Sequence, residues 1–125
     1  MLLEYFYKIL SIESITDSQR RATILINEKH IVFKGHFPDN PIMPGVCMMQ
    51  IIKELTEQIT GDSLMMQKLI DVKFTALINP FLTPELRLEL DITTTDTGLV
   101  KVKNTSYFGD TVALKLNCLY EKTTL

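Results

Sequence analysis

Apolar and polar positions divide the chain into a few stretches with different signatures. Residues 2–10 carry apolar side chains on nearly all sides and suit a short helix or a packed N-terminal segment. Residues 22–26 and 30–33 are rich in β-branched side chains and predict strand, with 27–29 as the bend between them. Residues 35–45, Gly-His-Phe-Pro-Asp-Asn-Pro-Ile-Met-Pro-Gly, hold three prolines and two glycines, a density that forbids regular structure. Over 46–59 neither residue occurs, and Gly61 follows as a C-terminal stop, so the spacing predicts a helix. Its first two turns are apolar almost all round, which predicts burial on every side. Charges arrive only from Lys53 onward, so the far end is expected in water.

Beyond about residue 68 the pattern is that of antiparallel sheet. Residues 69–77 form one predicted strand, and 85–92 alternate polar and apolar without a fault. A turn over 95–98 leads to a strand over 99–107. A second turn, Phe108-Gly-Asp110, leads to 111–120, where Val112, Leu114, Leu116, Cys118 and Tyr120 share a face. One buried helix with five or six strands, mostly in a meander, makes an α+β fold in which the sheet must curl around the helix. A curled, open sheet leaves edge strands for a partner chain, so a dimer is expected. No repeat, low-complexity tract or linker appears, and residues 1–125 read as one domain.

Composition narrows the function. The 125 residues are 46% apolar and 22% charged, with a net charge of −2 and no run of like charge. That excludes a disordered tail and gives no footprint for nucleic acid or an anionic membrane surface. No apolar run approaches the ~20 residues of a membrane span. The N-terminal run lacks a basic flank and is interrupted by Glu4 and Lys8, so it makes a poor signal peptide, and the cytoplasm is the expected compartment. Cys47 and Cys118 sit far apart in apolar stretches and read as buried thiols. His30 and His36 lack a third ligand at a metal-binding spacing, so no metal site is expected. Phosphate-binding loops, dinucleotide glycine fingerprints and nucleophile elbows are missing from the sequence.

The chemistry is expected in the proline-rich loop. His36 titrates near neutrality and can serve as a base. The loop ends at a helix start marked by Pro44, Gly45 and Val46, where backbone N–H groups without intrahelical partners favour a developing negative charge. Gly45 has no side chain to block an approaching carbonyl oxygen. A base beside an oxyanion donor is the minimum equipment for removing a proton α to a thioester carbonyl.

Phe33-Lys-Gly-His-Phe-Pro-Asp-Asn-Pro-Ile-Met-Pro-Gly-Val46 resembles the active-site signature of the hot-dog-fold β-hydroxyacyl-acyl-carrier-protein dehydratases, the FabZ/FabA type. The order of elements from about residue 20 onward fits that family as well. Phe74 followed by Pro80 resembles the family's next segment, although the family's Gly-Asp after that proline is here Phe81-Leu82. The resemblance implies a sheet wrapped around a long central helix, and a dimer whose sites each combine two subunits. It assigns His36 to the Cα proton and the Gly45 N–H to the thioester carbonyl. Phe37, Met43, Pro44, Val46 and Met49 fall where substrate would bind. The methionines Met43, Met48, Met49, Met65 and Met66 suit an acyl tunnel, but the same residues suit a plain core or a dimer interface.

At one position the chain departs from the family in a way that bears on activity. The family's helix carries an acid fourteen residues after the histidine, and here that position is Gln50. Glutamine donates a hydrogen bond but cannot protonate a leaving hydroxide, a loss worth a factor of ~10²–10⁴. Four residues on, where the family has glutamine, stands Glu54, so the two have changed places on one helix face. The simpler expectation is that Glu54 begins the solvated end of the helix. The sharper one is that Glu54, through Gln50 or a water, supplies the displaced acid.

The implied activity is reversible dehydration of β-hydroxyacyl thioesters carried on acyl carrier protein or coenzyme A. It needs no dissociable cofactor, since the phosphopantetheine arm arrives with the substrate. The main alternative is a weak or inactive subunit that binds acyl thioesters or completes a heteromeric dehydratase with a related hot-dog subunit. A thioesterase is the third reading, and release of free thiol separates it from the first.

Overall fold

A computed structural model describes residues 5–34, the last of them by its backbone, and 42–123. His36 and Phe37 lie outside the described residues. The elements in chain order are β1 (Tyr7–Ser14), β2 (Gln19–Ile26), α1 (Ile31–Lys34), α2 (Gly45–Thr60), β3 (Leu64–Phe74), β4 (Glu85–Thr94), β5 (Val100–Phe108) and β6 (Thr111–Lys122). The six strands form one sheet in the order β1-β2-β4-β5-β6-β3, every neighbouring pair antiparallel. Among the described residues no helix is long and apolar enough to cross a membrane.

Alternation explains the sheet. Ala22, Ile24 and Ile26 of β2, Leu86, Leu88 and Leu90 of β4, Val100 and Val102 of β5, and Leu114, Leu116, Cys118 and Tyr120 of β6 are all buried. They meet Cys47, Met48, Ile51, Ile52 and Leu55 of α2 in one core. The 95–98 turn closes with Gly98 at φ 84°, and the next hairpin with Gly109 at φ 57°, both in the left-handed region that suits glycine. Gly61, at φ 77°, ends α2 by donating to the Glu57 carbonyl. Leu64 N–H donates to the Glu57 carboxylate at 2.9 Å, so the same residue ties the helix end to the start of β3.

Four expectations are corrected. Residues 7–14 are strand, because Tyr7, Ile9 and, past a bulge, Ile12 turn inward against β2. Residues 31–34 form a single helical turn, with His30 Nδ1 accepting the Val32 N–H and Phe33 stacked on the buried Phe6. These local contacts override the β-branched composition. The strand expected over 69–77 begins at Leu64 and ends at Phe74, and two bulges against β6 hide its alternation.

The burial expected of α2 is also inverted in part. Val46, in its first turn, is 74% exposed and Met49 is half-buried, whereas Glu54 is only 5% exposed. The helix therefore keeps one face of its N-terminal half open and buries a carboxylate in its middle.

Candidate active site

Two features of α2 define the site. The first is its start. Pro44 is the N-cap, in extended conformation at φ −64° and ψ 137°, and no side chain caps the helix. The Pro44 carbonyl accepts from Cys47 and Met48, which leaves the Gly45 and Val46 N–H groups without intrahelical partners. Met43 is buried and its N–H donates to the Ile78 carbonyl at 2.8 Å, tying the end of the proline-rich loop to the segment after β3. Beside Gly45 lies an apolar hollow lined by Met43, Met48, Phe74, Leu77 and Leu114. The Phe74 ring lies against Gly45, so closely that a Cβ there would come within 2.7 Å of Phe74 Cζ.

The second feature is a polar cluster in the middle of the helix. Gln50 Nε2 donates to Glu54 Oε2 at 2.9 Å, and Tyr7 on β1 donates its hydroxyl to Glu54 Oε1 at 2.8 Å. Both carboxylate oxygens are thus acceptors, and the buried Glu54 is satisfied on both sides. Burial first, and then the Glu54 carboxylate beside it, hold the Tyr7 phenol well above its ordinary value near 10. Tyr7 therefore stays a hydrogen-bond donor at any physiological pH. Gln50 is only half-buried and lines a cavity of about 230 Å³ with Val46, Met49, Lys53, Met66 and Tyr120.

The expected site residues fall into three groups. Gln50 and Glu54 are joined directly, and the expectation that Glu54 begins the solvated end of the helix is overturned by its burial. Gly45 and Pro44 stand at the helix start, with Val46 open to solvent and Met49 in the wall of the Gln50 cavity. His36 and Phe37 lie outside the described residues. Cys47 and Cys118 are buried thiols whose pKa burial raises, which suits packing and not nucleophilic chemistry. Met48 is core, while Met65 is about half exposed and Met66 borders the Gln50 cavity.

Tyr7 was missed. Its signal is the alternation Tyr7, Ile9 once residues 7–14 are read as strand, since that periodicity sends Tyr7 inward beside Ile26. No group of three or more His, Cys, Asp or Glu among the described residues is placed to hold a metal ion.

A family model described as ApeI dehydratase, of the ApeI-like family, matches residues 12–108. A 3-hydroxyacyl-acyl-carrier-protein dehydratase FabZ of Thermoanaerobacter sp. (strain X514) is 29% identical over 123 residues, covering 93% of this chain and 84% of that protein. Its counterpart in Levilactobacillus brevis is 31% identical over 108 residues, covering 81% of this chain and 68% of its own length. Among solved structures, the dehydratase heterocomplex ApeI:P from Xenorhabdus doucetiae superimposes with a TM-score of 0.72 at 17% identity, covering 90% of this chain and 96% of that one. At that identity the likeness speaks for the fold, a hot-dog sheet around its helix.

Proposed function

The chain belongs to the ApeI-like dehydratase family, and from that premise we propose that it catalyses reversible dehydration of β-hydroxyacyl thioesters delivered on the phosphopantetheine arm of an acyl carrier protein. The observation that carries the reading is the Gln50–Glu54 pair, hydrogen-bonded at 2.9 Å, at the helix position where the resembling dehydratases keep their acid. In this reading the His36 imidazole removes the Cα proton. The thioester carbonyl takes up the negative charge against the Gly45 N–H and the positive end of α2. The Cβ–O bond then breaks as the Cα–Cβ double bond forms.

The departing oxygen must gain a proton to leave as water. An amide has none to give, and a carboxylate that accepts two hydrogen bonds has none either. The imidazolium of His36 is then the group that returns the proton, and Gln50 holds the oxygen in place. This differs from a relay in which Glu54 is itself the acid. Phe37, Met43, Pro44, Val46 and Met49 would contact the thioester or its acyl chain. No dissociable cofactor enters.

A second reading has its own support. The β3 edge exposes Met65, Leu69, Ile70 and Phe74, apolar side chains that suit pairing with another hot-dog subunit. That subunit is a second copy in a homodimer, or a related chain that brings the missing acid.

The test is hydration of a crotonyl thioester of acyl carrier protein, followed by mass, with His36→Ala as control. Water addition that disappears in the control supports catalysis by this chain. No addition by the folded protein alone, but addition once a co-purifying hot-dog subunit is present, replaces it with the heteromeric reading.

A further inference from the structure

The start of β1 is built with more care than an edge strand needs. Tyr5 adopts φ 59°, a left-handed conformation that a tyrosine rarely takes. It is held there by the Asn27 side chain, whose Nδ2 donates to the Tyr5 carbonyl at 2.8 Å, while the Asn27 N–H donates to the Phe6 carbonyl at 2.8 Å. The kink sends Phe6 into the core, where it is fully buried and meets the rings of His30 and Phe33. The next residue, Tyr7, reaches across to α2 and donates to Glu54. Backbone strain persists only where its surroundings over-determine it, and such places are often functional.

We propose that Tyr7 is a positioning residue for the reaction, acting through Glu54 to orient the Gln50 amide. Tyr7 occupies Oε1 of Glu54, so Oε2 is the oxygen left for Gln50. A carboxylate only accepts, and so it must be met by the Gln50 NH₂ group and not by its carbonyl. The carbonyl oxygen, at the other corner of the amide, is left for the cavity that Gln50 lines with Val46, Met49 and Lys53. Gln50 then offers the β-oxygen an acceptor, which orients the substrate hydroxyl in dehydration and the attacking water in hydration. Without Tyr7 the Glu54 carboxylate is free to turn and the amide loses its fixed direction.

The proposal rests on the reading of Gln50 as the group facing the β-oxygen. It is tested with Tyr7→Phe, Glu54→Gln and the double variant, alongside the NMR signals of the Gln50 side-chain amide. In the unsubstituted protein one Gln50 amide proton should be protected from exchange and shifted, and in Tyr7→Phe that signal should move and lose protection. Turnover of the crotonyl thioester should fall about tenfold in kcat with KM within twofold. Because both substitutions act through one carboxylate, the double variant should be no slower than the slower single variant.

A merely structural role for Tyr7 would leave the Gln50 signals unmoved and make the losses additive, and either result overturns the proposal. An unsubstituted protein with no turnover, alone or with a partner subunit, would instead overturn the functional reading. The amide signals would still report whether Tyr7 orients Gln50.

Discussion

Among the described residues, two hydrogen-bonded clusters of polar side chains reach into the core, one on the sheet and one between α2 and β1, and they are satisfied in different ways. On β5, Ser106 donates to Asn104 Oδ1 at 2.9 Å and Asn104 Nδ2 donates to the Glu89 carbonyl at 3.0 Å. Those partners are two residues away or on the neighbouring strand, both residues are at most 4% exposed, and neither lines a described cavity beside α2. In the second set Glu54 draws one partner from its own helix and one from β1, forty-seven positions distant. There the last member, Gln50, borders a cavity. A closed set of neutral groups rigidifies a sheet. A charged set that ends at a cavity wall transmits an orientation to whatever enters it.

The sharpest way to break this contrast is to return the acid to its family position with Gln50→Glu and Glu54→Gln together. The amide introduced at position 54 would still accept from Tyr7 and donate to the new carboxylate, so the cluster stays satisfied. In dehydration the protonated carboxyl at position 50 can donate to the leaving oxygen, and in hydration its carboxylate takes the proton of the attacking water, so turnover of the crotonyl thioester should rise about 10²-fold, the usual worth of a positioned acid–base group. An unchanged rate would mean that the acid is not what limits this site. The matched partner experiment is Glu54→Gln alone, which should lower turnover about tenfold while leaving the melting temperature within a few degrees.

The β5 pair should behave in the opposite sense. Asn104→Ala strands the Ser106 hydroxyl and removes a donor from the Glu89 carbonyl, at a cost of about 2–3 kcal/mol in urea unfolding. Turnover per folded molecule should not change. Asn104→Leu with Ser106→Ala removes both polar partners and should recover much of that loss, because an empty donor costs more than a missing pair. If turnover fell with stability in this series, the distinction between the two sets would be wrong.

How much of this was legible beforehand depended on the kind of signal. The strands β4 to β6 read directly, because period-two alternation over 85–92 and 111–120 has no competing pattern and glycines mark the turns at Gly98 and Gly109. The exchange of Gln50 with Glu54 was visible too, since helical i, i+4 spacing is fixed by geometry. The burial of Glu54 was not. A glutamate after Lys53 looks like the polar end of a helix until the phenol that satisfies it is found, and that phenol sits in a stretch whose bulge at Leu10 interrupts the alternation. β3 was half-read for the same reason, since its two bulges break the period.

The smallest effect, and the most selective, is on alkaline stability. Tyr7 and Tyr120 are both held protonated above the ordinary tyrosine value near 10, each chiefly by burial. Well below pH 10 neither group distinguishes the folded from the unfolded chain by proton number, and their stabilising contribution is fully present. As pH rises past 10 the unfolded chain releases these protons while the folded one keeps them. The folded state then binds more protons, and stability falls with pH.

The slope is at most about 1.4 kcal/mol per pH unit for each tyrosine, and less for Tyr7 because it is partly exposed and screened. For Tyr7 the next causes are the hydrogen bond and charge of Glu54, whereas for Tyr120 the next is Cys118. Urea unfolding between pH 9 and 11 should therefore show a shallower alkaline loss in Tyr7→Phe and in Tyr120→Phe alike. Glu54→Gln should flatten the Tyr7 share and leave the Tyr120 share untouched. An equal response of both shares to Glu54→Gln would mean that the carboxylate acts through the general field of the core and not through the Tyr7 hydroxyl.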